Sequence, residues 1–124
     1  MSIPLRIYIA GPYCPRGAIE HDAARIAQHN VDRALEVANA LIKKGHYPFV
    51  PHLSHYIHIH YSCKEDYGGD FYYRYDNTFL DIWAQALFLI DHSPGATAEL
   101  KRARMRNLKI FKSLREVPCV TIRL

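Results

Sequence analysis

The chain has 124 residues, 49% hydrophobic and 23% charged, with a formal net charge of +4. These proportions are ordinary for a soluble globular protein, no apolar run approaches the ~18 residues that span a membrane, and one domain over residues 1–124 is expected, with no membrane partner. Three cysteines, Cys14, Cys63 and Cys119, are odd in number and widely separated; with an N-terminus lacking the form of a signal peptide, they argue against a disulfide framework and for a cytoplasmic setting.

Leu5 to Ala10 is apolar and β-rich, and reads as a first strand that Gly11-Pro12-Tyr13 breaks. The loop beyond holds Gly11 and Gly17 but neither the P-loop spacing nor GxGxxG. Asp22 is placed to cap a helix running to about Lys44, because Ala27, Val31, Ala34, Leu35, Ala38, Leu41 and Ile42 recur at helical spacing. Lys43-Lys44-Gly45 ends it, with cations at the negative pole and glycine for a left-handed cap. Tyr47 to Val50 is a second short strand, stopped by Pro51.

From His52 to Asp70 the pattern is irregular. His52, His55, His58 and His60 cluster there with Cys63 nearby, and imidazoles at such spacings can hold zinc. The spacing matches no compact zinc pattern, and a His/Tyr loop can equally line a pocket, so no metal is expected. Gly68-Gly69-Asp70 then opens a helix from about Phe71 to Gln85. Asp76, Phe79, Leu80 and Trp83 fall at i, i+3, i+4 and i+7, which puts Asp76 on the core-directed face. A carboxylate there needs a partner or a job.

Leu87 to Ile90 is a short apolar run closed by turn residues, the pattern of a strand buried on both faces. Ser93-Pro94-Gly95 stops it and starts a helix to about Met105, with Ser93 as N-cap and Pro94 in the first turn. The amides of that turn favour an anion. Glu99 falls about one turn in, where its carboxylate can face the same crevice; alternatively it complements the helix dipole. Leu108 to Phe111 and Cys119 to Ile122 read as two further strands. From Lys101 onward eight basic residues stand against Glu116 alone, either as a nucleic-acid patch or as a solvated helix face. Phe111 alone among aromatic residues falls between them, so no nucleic-acid partner is expected.

Strands alternating with helices predict an α/β fold with a parallel sheet of about five strands and helices on both faces. Ligands in such folds sit beyond the carboxyl ends of the strands. Tyr8, Ala10, Gly11, Pro12, Tyr13, His52, Ser93, Gly95, Ala96 and Glu99 are thereby expected around one crevice. Asp76 should lie nearer to it than Asp81.

Three pieces in this order resemble one family: Ile7-Tyr8-Ile9-Ala10-Gly11-Pro12-Tyr13; Asn30 followed by Gly45-His46-Tyr47-Pro48-Phe49-Val50-Pro51-His52; and Ser93-x-Gly95-Ala96-x-x-Glu99. The chain resembles the nucleoside 2-deoxyribosyltransferase superfamily, including its nucleoside 5′-monophosphate N-glycosidase branch, from residue 5 to about 112. The resemblance implies a flavodoxin-like (Rossmann-like) three-layer sandwich, cleavage of an N-glycosidic bond, no cofactor, and a homodimer or larger assembly whose neighbouring subunit completes the site. It implies that Glu99 attacks the anomeric carbon, that Tyr8 orients Glu99, and that a helix-borne aspartate assists the base. Asp76 matches the aspartate with a one-residue adjustment in spacing, and Asp81 is the fallback. Ser93, six residues before the glutamate, is where the nucleotide hydrolase branch carries a serine that meets the 5′-phosphate.

The chemistry has its own logic. N-glycosidic cleavage passes through an oxocarbenium-like transition state, which a nearby carboxylate stabilises or traps covalently. The departing base needs a proton or a hydrogen bond. Two other readings use the same residues: a nucleotide-binding module without turnover, and a metal-dependent hydrolase built on the histidine loop.

Overall fold

The computed structural model describes residues 3–13, 20–54, 56–57 and 71–121. The elements are β1 (Arg6–Ala10), α1 (Glu20–Lys43), β2 (Tyr47–Phe49), a 3-10 turn (Pro51–Leu53), α2 (Phe71–Thr78) continued by a π turn (Phe79–Trp83), β3 (Ala86–Leu89), α3 (Pro94–Met105), β4 (Lys109–Phe111) and a second 3-10 turn (Leu114–Glu116). The four strands form one parallel sheet in the order β2-β1-β3-β4. This α/β arrangement is compatible with a Rossmann-like fold.

The alternation along β1 sorts its side chains between the two faces of the sheet. Ile7 and Ile9 pack with Ala34, Ala38 and Leu41 of α1, and with Phe88. Tyr8 and Ala10 face the other way, onto Leu80, Ala96, Leu100 and Ala103. β1 and β3 are buried over their core residues, as central strands of a covered parallel sheet must be. Pro48 is accommodated because β2 is an edge strand, where a missing amide hydrogen breaks no ladder.

Three boundaries differ from the sequence reading. Helix α1 begins at Glu20, so Asp22 lies within its first turn rather than at its cap. The helix after residue 70 changes character at Phe79: Ala84 N–H donates to Phe79 O, five residues back, and Ala84 is extended. This π turn carries one more residue than an α turn. It buries Leu80 completely and stacks Phe79 on Phe49 at 4.2 Å.

The third concerns the fifth strand expected at Cys119 to Ile122. Ile122 lies outside the described residues, and residues 118–121 pair with no strand. They are held by His46 instead. Its Nδ1 accepts from Leu5 N–H (3.0 Å), so Nε2 bears the hydrogen and donates to Pro118 O (2.6 Å). Val120 N–H donates to Lys44 O (2.7 Å). The segment therefore crosses the amino ends of β1 and β2, not the sheet edge. Gly45 makes this crossing possible: its φ is +96°, and a Cβ there would stand 2.5 Å from Val120 O.

Candidate functional site

A crevice of about 690 Å³ opens beyond the carboxyl ends of β1 and β3, where the chain switches from building the sheet on one side to building it on the other. That volume is in the range of small-molecule sites. Gly11, Pro12 and Tyr13 form one wall, and His52 another. Ser93, Gly95, Ala96 and Glu99 come from α3, and Asp76 from α2. Two sequence-predicted residues lie behind the wall rather than in it. Ala10 is fully buried in the core, and Tyr8 is fully buried with its hydroxyl directed at Glu99.

Tyr8 donates its phenolic hydrogen to Glu99 Oε2. Burial, and then the Glu99 carboxylate beside it, push the Tyr8 pKa far above its ordinary value, so Tyr8 stays a donor at any physiological pH. Burial also raises Glu99 to about 7, against the opposing Tyr8 hydrogen bond and with the Asp76 charge adding to the rise. Asp76 is raised to about 7 by burial, with Ser54 acting in the opposite sense. Two carboxyl groups in one crevice are thus both raised to about 7, chiefly by burial.

Asp81 is elsewhere. It forms a bidentate ion pair with Arg102, which holds its carboxyl below the usual range, and it lines no part of the crevice. The described basic residues from Lys101 onward also lie off the site. Among the described residues, no Lys or Arg lines the crevice; Arg102 is committed to Asp81 and Arg106 donates to Leu80 O.

Ser93 caps α3: its Oγ accepts from Ala96 N–H at 3.1 Å. Thr97 N–H is taken by Ser93 O, and Pro94 has no amide hydrogen. Of the first-turn donors this leaves Gly95 N–H, together with the Ser93 hydroxyl hydrogen, which the cap does not consume. The anion-binding capacity of this turn is therefore narrower than a free helix terminus would offer.

His52 is buried, and its Nε2 lies 3.1 Å from Pro12 O. Burial lowers its pKa, so it is neutral, with Nε2 as donor and Nδ1 without a partner among the described residues. His55, His58, His60 and Cys63 fall outside the described residues. Among the described residues, no group of three metal-ligating side chains occurs.

Several wall residues went unassigned in the sequence. Asn30 is a polar residue in the apolar stripe of α1, and that anomaly was its signal; its Nδ2 donates to Tyr13 O (2.8 Å) and fixes the loop after β1. Tyr73 sits one turn before Asp76 on α2 and places its hydroxyl 3.4 Å from where a Cβ on Gly95 would stand. His92 joins the wall beside Ser93. No family model matches the chain, and no curated protein sequence matches it.

Proposed function

We propose that this protein cleaves the N-glycosidic bond of a nucleoside or, preferentially, a nucleoside 5′-monophosphate, by hydrolysis or by transfer to another base, on a flavodoxin-like scaffold. The observation that carries the reading is the pairing of Tyr8 with Glu99 beneath a crevice that Asp76 shares. A buried phenol that cannot ionise is an orienting donor; a carboxylate lifted to about 7 keeps more nucleophilicity than a solvated one.

In this reading the Glu99 carboxylate attacks the anomeric carbon as the bond to the base breaks. The electron pair leaves with the base nitrogen, and the Asp76 carboxyl proton follows it. Water or an incoming base then displaces Glu99 from the sugar. The Ser93 hydroxyl, Gly95 N–H and the positive end of α3 receive the 5′-phosphate. A second copy of the chain closes the open side of the crevice, which sedimentation of the intact protein at micromolar concentration tests.

The decisive experiment is incubation with a panel of nucleosides and 5′-monophosphates, followed by chromatography for free base. Release of base from at least one, lost in Glu99→Ala, is expected. No release from any member, with nucleotide still bound, would make the protein a binding module instead.

A further inference from the structure

We propose that Ser54 is a positioning residue for Asp76, its hydroxyl reversing hydrogen-bond direction as Asp76 loses and regains a proton. The proposal rests on the N-glycosidase reading above. Ser54 follows the Pro51–Leu53 turn, and its Oγ lies 2.9 Å from Pro51 O and 3.3 Å from Asp76 Oδ2. A hydroxyl has one hydrogen and two lone pairs, so it cannot donate to both neighbours at once.

The two protonation states of Asp76 settle the direction. When Asp76 is protonated, Ser54 gives its hydrogen to Pro51 O, and its lone pair accepts from the carboxyl. When Asp76 is a carboxylate it has nothing to donate, and the Ser54 hydrogen turns to Oδ2. The turn strands no acceptor, because the Ser54 backbone N–H also donates to Pro51 O and to His52 O. The reversal therefore leaves both Pro51 O and the Ser54 hydroxyl hydrogen bonded.

No other described residue hydrogen-bonds this carboxyl, and Asp76 Oδ1 is buried without a partner. The groups that face Asp76 from neighbouring elements are Glu99 on α3 and Tyr8 on β1, with neutral His52 in the same wall. None of them is a cation. When the glycosidic bond breaks, the base takes the Asp76 proton, and the carboxylate left behind has Ser54 as its donor. Ser54 touches neither sugar nor base in this scheme; it acts through Asp76.

The test is the titration of Asp76 by carbon-detected NMR in the intact, ligand-free protein, alongside pH–rate profiles. A hydrogen bond to a charged group is about twice as strong as a neutral one, so Ser54→Ala should raise the Asp76 midpoint by about half to one pH unit. The basic limb of the pH profile should move with it, and kcat should fall about 10-fold with KM changed less than about twofold. Ser54→Thr keeps a hydroxyl and should restore both. An Asp76 titration in Ser54→Ala that coincides with wild type overturns the proposal whatever the activity, as does a failure of threonine to restore a shifted one. A shift restored by threonine, in a protein that releases base from no substrate, would instead overturn the N-glycosidase reading and leave the Ser54–Asp76 pairing standing.

Discussion

Removing the charge of Glu99 should destroy activity and strengthen the fold, and the second effect should depend on pH. The carboxyl is raised from 4.5 to about 7, chiefly by burial. The folded protein therefore binds this proton more tightly than the unfolded chain does. By linkage, stability is highest below the unfolded pKa and falls as pH rises toward 7. A shift of about 2.5 units corresponds to about 3 kcal/mol of penalty once pH exceeds 7. Glu99→Gln mimics the neutral acid, keeps an oxygen for the Tyr8 hydroxyl, and should recover about 1–3 kcal/mol at pH 8. At roughly 4 °C per kcal/mol for a chain of this length, Tm should rise by about 4–12 °C. At pH 5 the gain should shrink to less than about 1 kcal/mol, and below pH 4 it should vanish. Denaturant unfolding at pH 8, 6 and 4.5 measures this, and base release measures the loss of function. A variant less stable than wild type at pH 8, or one whose difference is constant with pH, would refute the argument that burial burdens this carboxylate.

Tyr8→Phe removes the donor that orients Glu99, so kcat should fall by at least about 10-fold with KM little changed; a raised KM at constant kcat would make Tyr8 a binding contact instead. Ser93→Ala loses the cap on Ala96 N–H and should cost about 1 kcal/mol of stability. If the Ser93 hydroxyl hydrogen also serves the phosphate, wild type should prefer a 5′-monophosphate over its nucleoside by at least ~10-fold in kcat/KM, and Ser93→Ala should narrow that gap. An unchanged gap with a lowered Tm would leave Ser93 a cap and nothing more.

The fold was legible where local chemistry and burial agree. The apolar runs of β1 and β3, the Gly45 ending of α1, and the Ser93-Pro94 start of α3 all lie where pattern and cap chemistry put them. It was not legible where tertiary contacts decide. The Phe79–Trp83 turn stacks Phe79 on Phe49 and sets Trp83 edge-on to the same ring while Leu80 is buried. A regular 3.6-residue period cannot anticipate that extra residue. Cys119 to Ile122 reads as a strand because Cys119-Val120-Thr121-Ile122 has β composition, yet the backbone of Pro118 and Val120 is bonded at His46 and Lys44. Within the site, residues on strand ends and helix starts were readable from topology. Tyr73 was not, because it meets the wall through Gly95, distant in sequence, and Ser54 likewise reaches Asp76 across the fold; Asn30 showed only as a polar residue in an apolar stripe.

The absence of Lys and Arg from the described crevice wall has a thermodynamic consequence for a phosphate ligand. In the proposed complex its negative charge would meet neutral donors and the start of α3, while Asp76 and Glu99, each raised to about 7, share the same space. A nearby like charge raises a carboxyl pKa further. At pH 8, where both carboxyls are mostly ionised, binding a 5′-monophosphate should therefore draw in about half to one proton. At pH 5, where they are already protonated, it should draw in almost none. Calorimetry with a carbocyclic nucleoside 5′-monophosphate, whose base cannot leave, measures the uptake from the dependence of binding enthalpy on the buffer's ionisation enthalpy. Asp76→Asn leaves one carboxyl of the pair and should reduce the uptake at pH 8. Uptake of the same size in wild type and Asp76→Asn would assign the proton to Glu99 rather than Asp76. No uptake at all would mean that the phosphate binds away from both carboxyls, and the monophosphate preference would then need a different site.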